Sequence, residues 1–253
     1  MRVLILGGTA EARALAAALT GLPGVRPVSS LAGRVADPLL PAGEVRIGGF
    51  GGAEGLAEWL AAAQAGGEPI AAVVDATHPF AATISRSAAQ AASATRIPIL
   101  ALRRPGWTER PGDDWHRQPS TAAAAVALAG MAERVFLTTG RSDLAPFAGL
   151  DRHWFLIRSI EQPPPPLPSR HRLVLARGPF GVAEEIELMA GHRVGVLVTK
   201  DSGGPLTAAK LVAARELGLP VLLIDRPPVP DVPSVLTVEA ALDWVAALIP
   251  GAR

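Results

Sequence analysis

Residues 3–12 read Val3-Leu4-Ile5-Leu6-Gly7-Gly8-Thr9-Ala10-Glu11-Ala12, an apolar run joined to an alanine-rich segment by two glycines. This stretch predicts a strand at 3–6, a tight turn and a helix at 10–20. Glycines in such a turn let the backbone approach a pyrophosphate, and the following helix offers unpaired N–H groups. The third glycine of the G-x-G-x-x-G pattern is missing, because Ala12 occupies that position. A nucleotide site and a plain tight turn therefore both remain open.

The alternation of short apolar runs and helical segments continues through the chain. It predicts βαβ units, a parallel sheet and an α/β fold. Strands are expected at 25–28, 44–47, 70–74, 97–102, 134–138, 154–158, 172–176, 194–198 and 220–224, and helices at 53–65, 81–94, 120–129, 181–190, 205–217 and 238–249. The segment 103–119 is rich in Pro, Gly and charge and is predicted to cross between two halves. The predicted domains are 1–102 and 103–253.

Composition excludes several classes of function. The 253 residues are 49 % apolar and 19 % charged, which is typical of a globular protein. Without cysteine there is no disulfide, thiolate nucleophile or Cys-ligated metal, and without tyrosine no mechanism can use a Tyr acid. A net charge of +1 gives no sign of nucleic-acid binding. No apolar stretch approaches the roughly 20 residues that span a bilayer, and the N-terminus is a strand rather than a signal peptide. A cytoplasmic protein is expected.

Polar residues follow the second and third predicted strands. Ser29, Ser30, Gly33 and Arg34 come after the second strand, where NAD enzymes usually place an acid for the ribose 2′-hydroxyl. An arginine at this point, without an acid, favours the 2′-phosphate of NADP over a surface loop. The third strand leads into the run 48–52, Gly-Gly-Phe-Gly-Gly, which either lies against a flat ligand or is simply flexible.

The fourth strand runs into residues 74–81, Val-Asp-Ala-Thr-His-Pro-Phe-Ala. Ligands of doubly wound sheets bind at the carboxyl ends of strands, which is where this stretch is expected to lie. A strand-to-helix turn with capping explains Thr77 and Pro79. It does not require Asp75 and His78, so the stretch also predicts a functional site.

The second half repeats the arrangement. Polar clusters end three of its strands, and these are Thr138-Thr139-Gly140-Arg141, Arg177-Gly178-Pro179-Phe180 and Thr199-Lys200-Asp201-Ser202-Gly203-Gly204. Two of the 24 basic residues are lysines, and Lys200 is one of them. Ser202 could simply cap a helix, and Lys200 with Asp201 could be a solvated pair. Taken together, the clusters favour a polar site at one edge of each sheet.

Six motifs in this order are similar to the precorrin-6A reductase family of cobalamin biosynthesis. They are ILGGTAEAR, SLAGR, GGFGG, VDATHPFA, TTGR and TKDSGG, spanning residues 5–204. The resemblance implies two Rossmann-like parallel-sheet domains with the active site in the cleft between them. It also implies NADPH-dependent reduction of one double bond of precorrin-6A, giving precorrin-6B. Under this resemblance, domain 1–102 binds NADPH and domain 103–253 contributes to the precorrin site.

The resemblance and the strand-end positions together predict the site residues. The catalytic residues are predicted to be Lys200, Asp201 and His78. The predicted cofactor-binding residues are Gly8, Thr9, Ala10, Glu11, Ser30, Gly33, Arg34, Gly49, Phe50 and Thr77. The predicted substrate-binding residues are His78, Arg141, Arg177, Lys200, Ser202 and Gly203, with Arg103 or Arg104 as further contacts for the carboxylates of a corrin precursor. No metal is expected.

The expected partners are NADPH and the corrin precursor, with product hand-over to neighbouring pathway enzymes, and neither nucleic acid nor a membrane. Three alternatives stay open. One is reduction of cobalt-precorrin-6A in the anaerobic route, with NADH as donor. Another is a two-domain nucleotide-sugar transferase that holds donor phosphates on the motif TKDSGG. The third is a non-catalytic NADP sensor.

Overall fold

The computed structural model describes residues 1–33 and 38–249. Twelve strands and seven helices occur in this part of the chain. The first are β1 Arg2–Leu6, α1 Ala10–Thr20, β2 Arg26–Leu31, β3 Glu44–Ile47, α2 Gly52–Ala65, β4 Ile70–Asp75, α3 Ala82–Thr95, β5 Ile99–Leu102, β6 Trp115–Gln118 and α4 Thr121–Ala127. The others are β7 Arg134–Thr138, β8 Trp154–Ser159, β9 His171–Leu175, α5 Val182–Gly191, β10 Val196–Lys200, α6 Ala209–Glu216, β11 Val221–Ile224, β12 Ser234–Val235 and α7 Val238–Ala246.

The chain divides into two compact units, each with one parallel sheet. Unit 1 consists of Met1–Pro105 and the segment from Pro228 onward, and unit 2 of Gly106–Pro227. The strand order is β3-β2-β1-β4-β5-β12 in unit 1 and β9-β8-β7-β10-β11-β6 in unit 2. The sheet of unit 1 therefore has the doubly wound 3-2-1-4-5-6 order, whereas the sixth position in unit 2 is occupied by β6, the first strand of that unit in sequence. The switch points lie between β1 and β4 and between β7 and β10. The predicted α/β class with two Rossmann-like sheets is confirmed.

The sixth strand of each sheet comes from an unexpected part of the chain. Strand β6 is the first strand of unit 2 in sequence and pairs with its last strand, β11, whereas β12 follows unit 2 in sequence and pairs with β5 of unit 1. Helix α7 also belongs to unit 1, where Ala241 and Val245 are fully buried in the core beside α1. This corrects the predicted division 1–102 and 103–253, because the C-terminal segment completes the first sheet. The segment 103–119, predicted to cross between the two halves, also contains a strand, β6.

Burial explains why these segments form strands. All five residues of β1 are buried, as are all four of β11, because helices cover both faces of each central strand. The edge strands β3 and β9 are partly exposed and carry charged residues, which discourage pairing with another chain. Helices α1, α4 and α7 begin after Thr9, Ser120 and Thr237, whose side chains accept a backbone N–H of the first turn. The turns between strand and helix are thus set locally.

None of the helices that the structure describes combines the length and apolar character needed to cross a bilayer.

Candidate functional site

The turn between β1 and α1 lies at the switch point of the first sheet. Gly8 has a φ of 110°, which a side chain would strain, so the glycine is needed for the shape of this turn. The hydroxyl of Thr9 accepts the N–H of Ala12 at 3.1 Å and donates to the carbonyl of Ala76 at 2.8 Å. Thr9 therefore joins the carboxyl ends of β1 and β4. The turn leaves the first N–H groups of α1, those of Ala10 and Glu11, without intrahelical partners.

The Asp of the VDATHPFA stretch organises the end of β4. Asp75 is buried, and one of its oxygens accepts the backbone N–H of Thr77 at 3.1 Å and the Thr77 hydroxyl at 2.6 Å. Its other oxygen accepts Nη2 of Arg103, which also donates to the hydroxyl of Ser85. Arg103 was predicted as a contact for substrate carboxylates, but it is engaged by this internal carboxylate. Asp75 and Arg103 thus hold the loop that presents Thr77 and His78.

His78 occupies the turn before α3 and is half-buried. Its Nδ1 accepts the backbone N–H of Phe80 at 3.2 Å, and its carbonyl accepts the N–H of Ala81 at 2.7 Å. Because Nδ1 uses its lone pair as an acceptor, the neutral ring carries its proton on Nε2. His78 therefore has both the turn-forming role and a donor atom that the turn bond does not use.

Several predicted cofactor residues line one small surface depression in unit 1. Arg104 and Glu11 form an ion pair of 2.7 Å at its rim. Arg104 was predicted to bind substrate carboxylates, and this pair places it instead beside the β1–α1 turn. The depression is lined by Thr9, Glu11, Ala76, Thr77, Pro79, Leu102 and Arg104. The structure thus brings together the ends of β1, β4 and β5.

A second group of predicted cofactor residues surrounds an arginine that the sequence analysis did not select. Arg46 of β3 donates to the Ser30 hydroxyl at 3.1 Å and to the Gly49 carbonyl at 3.2 Å. Its guanidinium carbon lies 3.8 Å from the centroid of the Phe50 ring. The signal that could have identified Arg46 is a basic residue two positions before the glycine-rich loop. Gly33 follows β2 with a φ of 69°, and Arg34 lies outside the described residues.

In unit 2, Lys200 ends β10 at the corresponding switch point. Its ammonium group forms an ion pair with Asp143, which comes two residues after Arg141 in the loop following β7. The sequence analysis did not select Asp143. Ser202 donates its backbone N–H to the carbonyl of Lys200 at 2.7 Å, and Gly203 follows with a φ of 66°. Lys200, Ser202 and Gly203 thus form one tight loop.

Asp201 is the buried residue of this loop. It accepts hydrogen bonds from residues near both ends of unit 2. One carboxylate oxygen accepts the backbone N–H of Trp107 at 3.0 Å, and the other lies 3.5 Å from Nη2 of Arg117. Its carbonyl accepts Nε of Arg226 at 2.9 Å. A Cβ on Gly106 would lie 2.8 Å from the carboxylate, so this approach requires glycine. Hydrogen bonding to Asp225, and secondarily the charge of Asp201, raises the pKa of Arg117.

The two arginines predicted to bind substrate are at different strands of the second sheet. Arg141 follows β7 and pairs with Glu161 at 2.7 Å, so its charge is already partly compensated. Arg177 follows the edge strand β9 and is exposed. Among the described residues, no group of three or more His, Asp or Glu side chains is arranged to hold a metal ion.

Two doubly wound parallel sheets with glycine-rich, polar strand ends define an α/β protein of the Rossmann-like class. The family model described as Precorrin-6x reductase CbiJ/CobK matches residues 2–246, and the chain belongs to this family. It is 57 % identical to a precorrin-6A reductase of Rhodococcus erythropolis, over 98 % of both chains. It is 31 % identical to a cobalt-precorrin-6A reductase of Methanothermobacter thermautotrophicus, over 90 % of this chain and 78 % of that protein.

A solved structure titled CobK precorrin-6A reductase has a TM-score of 0.90 to this fold at 41 % identity, covering 100 % of both chains. These similarities confirm the predicted family, the oxidoreductase class and the assignment to cobalamin biosynthesis. They give no support to the nucleotide-sugar transferase or to the non-catalytic sensor.

Proposed function

We propose that this protein reduces metal-free precorrin-6A with NADPH as hydride donor. The observation that carries the cofactor choice is the polar end of β2 and β3, where Arg46 donates a hydrogen bond to Ser30. In the sequence, no acidic residue follows β2 as far as Arg34. An acid at that point would favour the free ribose hydroxyls of NADH, whereas a cation suits the 2′-phosphate. Arg34 remains predicted to take part in the same contact.

Unit 1 fits a dinucleotide at the β1–α1 turn. Gly8 leaves the backbone uncovered there, and the first N–H groups of α1, together with the positive end of its dipole, suit a pyrophosphate. Thr9 and Thr77 line the neighbouring depression at the switch point. We assign Gly8, Thr9, Ala10, Glu11 and Thr77 to the cofactor on these grounds. When bound, NADPH supplies the hydride.

The pigment side of the reaction needs cations, and a proton from an acid or from water completes the reduction that the hydride begins. Hydride addition to a conjugated macrocycle increases its electron density, which a nearby cation stabilises. Lys200 is suited to that role, because it is a cation at the carboxyl end of β10, where Asp143 holds its ammonium group in an ion pair. The Nε2–H of His78 can donate to a substrate carboxylate, as can Arg141, Arg177 and the Ser202–Gly203 turn. Asp201 positions the loop that carries Lys200.

The similarity to the two groups of relatives supports the metal-free substrate. Identity is 57 % to the precorrin-6A reductase of Rhodococcus and 52 % to that of Mycobacterium tuberculosis. It falls to 31 % for the cobalt-precorrin-6A reductase of Methanothermobacter. The cobalt complex is therefore the second candidate substrate.

The test mixes purified protein with enzymatically generated precorrin-6A and follows NADPH absorbance together with the pigment spectrum. We expect one NADPH oxidised for each pigment reduced, and little turnover with NADH. Parallel reactions with cobalt-precorrin-6A compare kcat/KM for the two substrates. A higher kcat/KM with the cobalt complex, or with NADH, would contradict the corresponding part of the proposal.

A further inference from the structure

We propose that Arg46 selects NADPH over NADH by binding the 2′-phosphate of the cofactor. This inference rests on the proposed function and names the residue responsible for its cofactor preference. Arg46 is on β3, the edge strand next to β2, and the two parallel strands are in register so that Arg46 is the direct partner of Ser30. Partners of this kind on adjacent strands direct their side chains to the same face. The adenosine ribose of a Rossmann-bound dinucleotide lies at the end of β2.

The guanidinium of Arg46 is held in one orientation before any ligand binds. Its Nη1 donates to the Ser30 hydroxyl at 3.1 Å and to the Gly48 carbonyl at 2.9 Å, and its Nη2 donates to the Gly49 carbonyl at 3.2 Å. One face of the guanidinium packs on Phe50, whose ring lies edge-on to Trp59 with centroids 5.5 Å apart. These bonds use three of the five N–H groups, which leaves donors for an anion. A fixed donor plane loses little conformational entropy on binding.

Arg46 lacks the carboxylate partner that six other well-held arginines have, whereas Arg134 is held much as Arg46 is, by a carbonyl and by the ring of Trp154. Arg2, Arg103, Arg104, Arg141, Arg158 and Arg215 each pair with a carboxylate. Within residues 1–33 and 38–249, no ion pair involves Arg46, and partial burial lowers its pKa. Its immediate partners are a hydroxyl, two carbonyls and an aromatic face, none of which carries a formal charge. A phosphate at this point would supply the missing negative charge.

A purely structural role makes a different prediction. If Arg46 only clips the glycine-rich loop through its two carbonyl bonds, its loss should weaken every ligand of unit 1 equally, or lower stability alone. If Arg46 reads the 2′-phosphate, its loss should affect only ligands that carry this group. The comparison of 2′,5′-ADP with adenosine 5′-monophosphate (AMP) separates the two roles, because these ligands differ by that phosphate alone.

The experiment measures binding of 2′,5′-ADP and AMP to the full-length protein by calorimetry, together with thermal unfolding. We expect Arg46→Gln to weaken binding of 2′,5′-ADP by about tenfold to a hundredfold, since a hydrogen bond to a charged group has roughly that effect, and to leave the affinity for AMP within about twofold. Arg172→Gln is the matched control, because Arg172 is exposed on β9, the equivalent edge strand of unit 2. This control should leave the affinity for both ligands unchanged.

Equal weakening of both ligands, or unchanged 2′,5′-ADP affinity in a folded Arg46→Gln protein, would overturn the role of Arg46 while leaving NADPH preference intact. A parent protein that binds the two ligands equally would overturn the cofactor preference itself, and the inference with it. If Arg46→Gln does not fold, Ser30→Ala provides the second variant. It removes one partner of the guanidinium, and it should weaken binding of 2′,5′-ADP more than binding of AMP.

Discussion

His78 combines a turn-forming bond with a proposed substrate contact, and a substitution can separate these two roles. Its Nδ1 accepts the Phe80 N–H inside the turn, and Nε2 is the donor that the proposed substrate contact uses. Asparagine places an oxygen close to the position of Nδ1 but has no atom at the position of Nε2. Substitution at this residue can therefore distinguish a turn-forming histidine from one that contacts pigment.

We expect His78→Ala and His78→Asn to lower kcat/KM for pigment reduction to a similar extent, by about tenfold or more. Affinity for 2′,5′-ADP should change little in both. His78→Asn should unfold at a temperature closer to that of the parent, because it keeps the acceptor for Phe80. If His78→Asn restores activity as well as stability, the histidine acts only as a turn residue.

Two adjacent residues of the loop after β10, Lys200 and Asp201, have different partners. Lys200 pairs with Asp143, whereas Asp201 accepts the N–H of Trp107 and supports Arg226 through its carbonyl. These partners are far apart along the chain, so the two residues belong to different networks despite being adjacent. Substitutions at Lys200 and Asp201 should therefore affect different measured quantities.

We expect Lys200→Met to lower pigment turnover by about a hundredfold, while the free energy of unfolding changes little. Asp201→Ala should instead destabilise unit 2 by about 1–3 kcal/mol, because the Trp107 N–H is left without its acceptor, and Asp201→Asn should cost less. Urea unfolding and steady-state turnover of the three variants test this division. Loss of turnover in a fully stable Asp201→Asn protein would show that the carboxylate itself takes part in the reaction.

Helix α6 carries the other lysine of the chain in an unusual position. Lys210 is buried, donates to the Thr207 carbonyl at 2.7 Å and lies 4.9 Å from the centroid of the Trp107 ring. Burial first, and then the charge of Arg158, lower the pKa of Lys210 to about 7, and Glu185 opposes this shift. The unfolded chain has the ordinary lysine pKa, so between about pH 7 and 10.5 it binds a proton that the folded state lacks.

Stability should therefore rise with pH over this range relative to a variant without the lysine. Between pH 7 and 9 we expect the parent to gain about 2 kcal/mol of unfolding free energy over Lys210→Met, since each pKa unit corresponds to about 1.4 kcal/mol. Urea unfolding at several pH values measures this difference. Parallel pH profiles for the two proteins would show that the Lys210 ammonium stays protonated throughout.

At the scale of the whole molecule, unit 1 is interrupted in sequence by unit 2, which is itself one continuous segment. Unit 1 is completed by β12 and α7, which are encoded after unit 2, and unit 2 is completed by β6. The C-terminal helix therefore supports the sheet to which we assign NADPH, more than 130 residues away in the chain from β5. A substitution that disturbs the packing of α7 should therefore weaken cofactor binding.

We expect Ala241→Asp to weaken 2′,5′-ADP binding and lower the midpoint of unfolding, because Ala241 is fully buried against α1 and an unpaired carboxylate there costs several kcal/mol. Asp243→Asn on the exposed face of α7 is the control and should change neither quantity. Normal 2′,5′-ADP affinity in a folded Ala241→Asp protein would mean that α7 does not support the cofactor half.

The local elements of this protein follow closely from its sequence. Strand β4 was predicted at 70–74 and occupies Ile70–Asp75, and α1 was predicted at 10–20 and occupies Ala10–Thr20. Apolar periodicity, glycine turns and capping hydroxyls act within a few residues, so a sequence displays them directly. The same signals placed Thr9, Thr77 and Lys200 at strand ends, and parallel pairing then brings such ends to one edge of a sheet.

Long-range partners were decided by tertiary packing alone. Strand β12 has only two residues, and its pairing with β5 depends on where α7 docks, which no local pattern specifies. Asp201 meets Trp107 across 94 residues of chain, and Arg46 is the register partner of Ser30 only because β3 aligns beside β2. Such long-range contacts decide whether a charged side chain bonds an internal partner or remains available to a ligand. The sequence could nominate polar strand ends, and packing determined that Asp75 and Arg103 neutralise each other while Arg46 keeps an uncompensated charge.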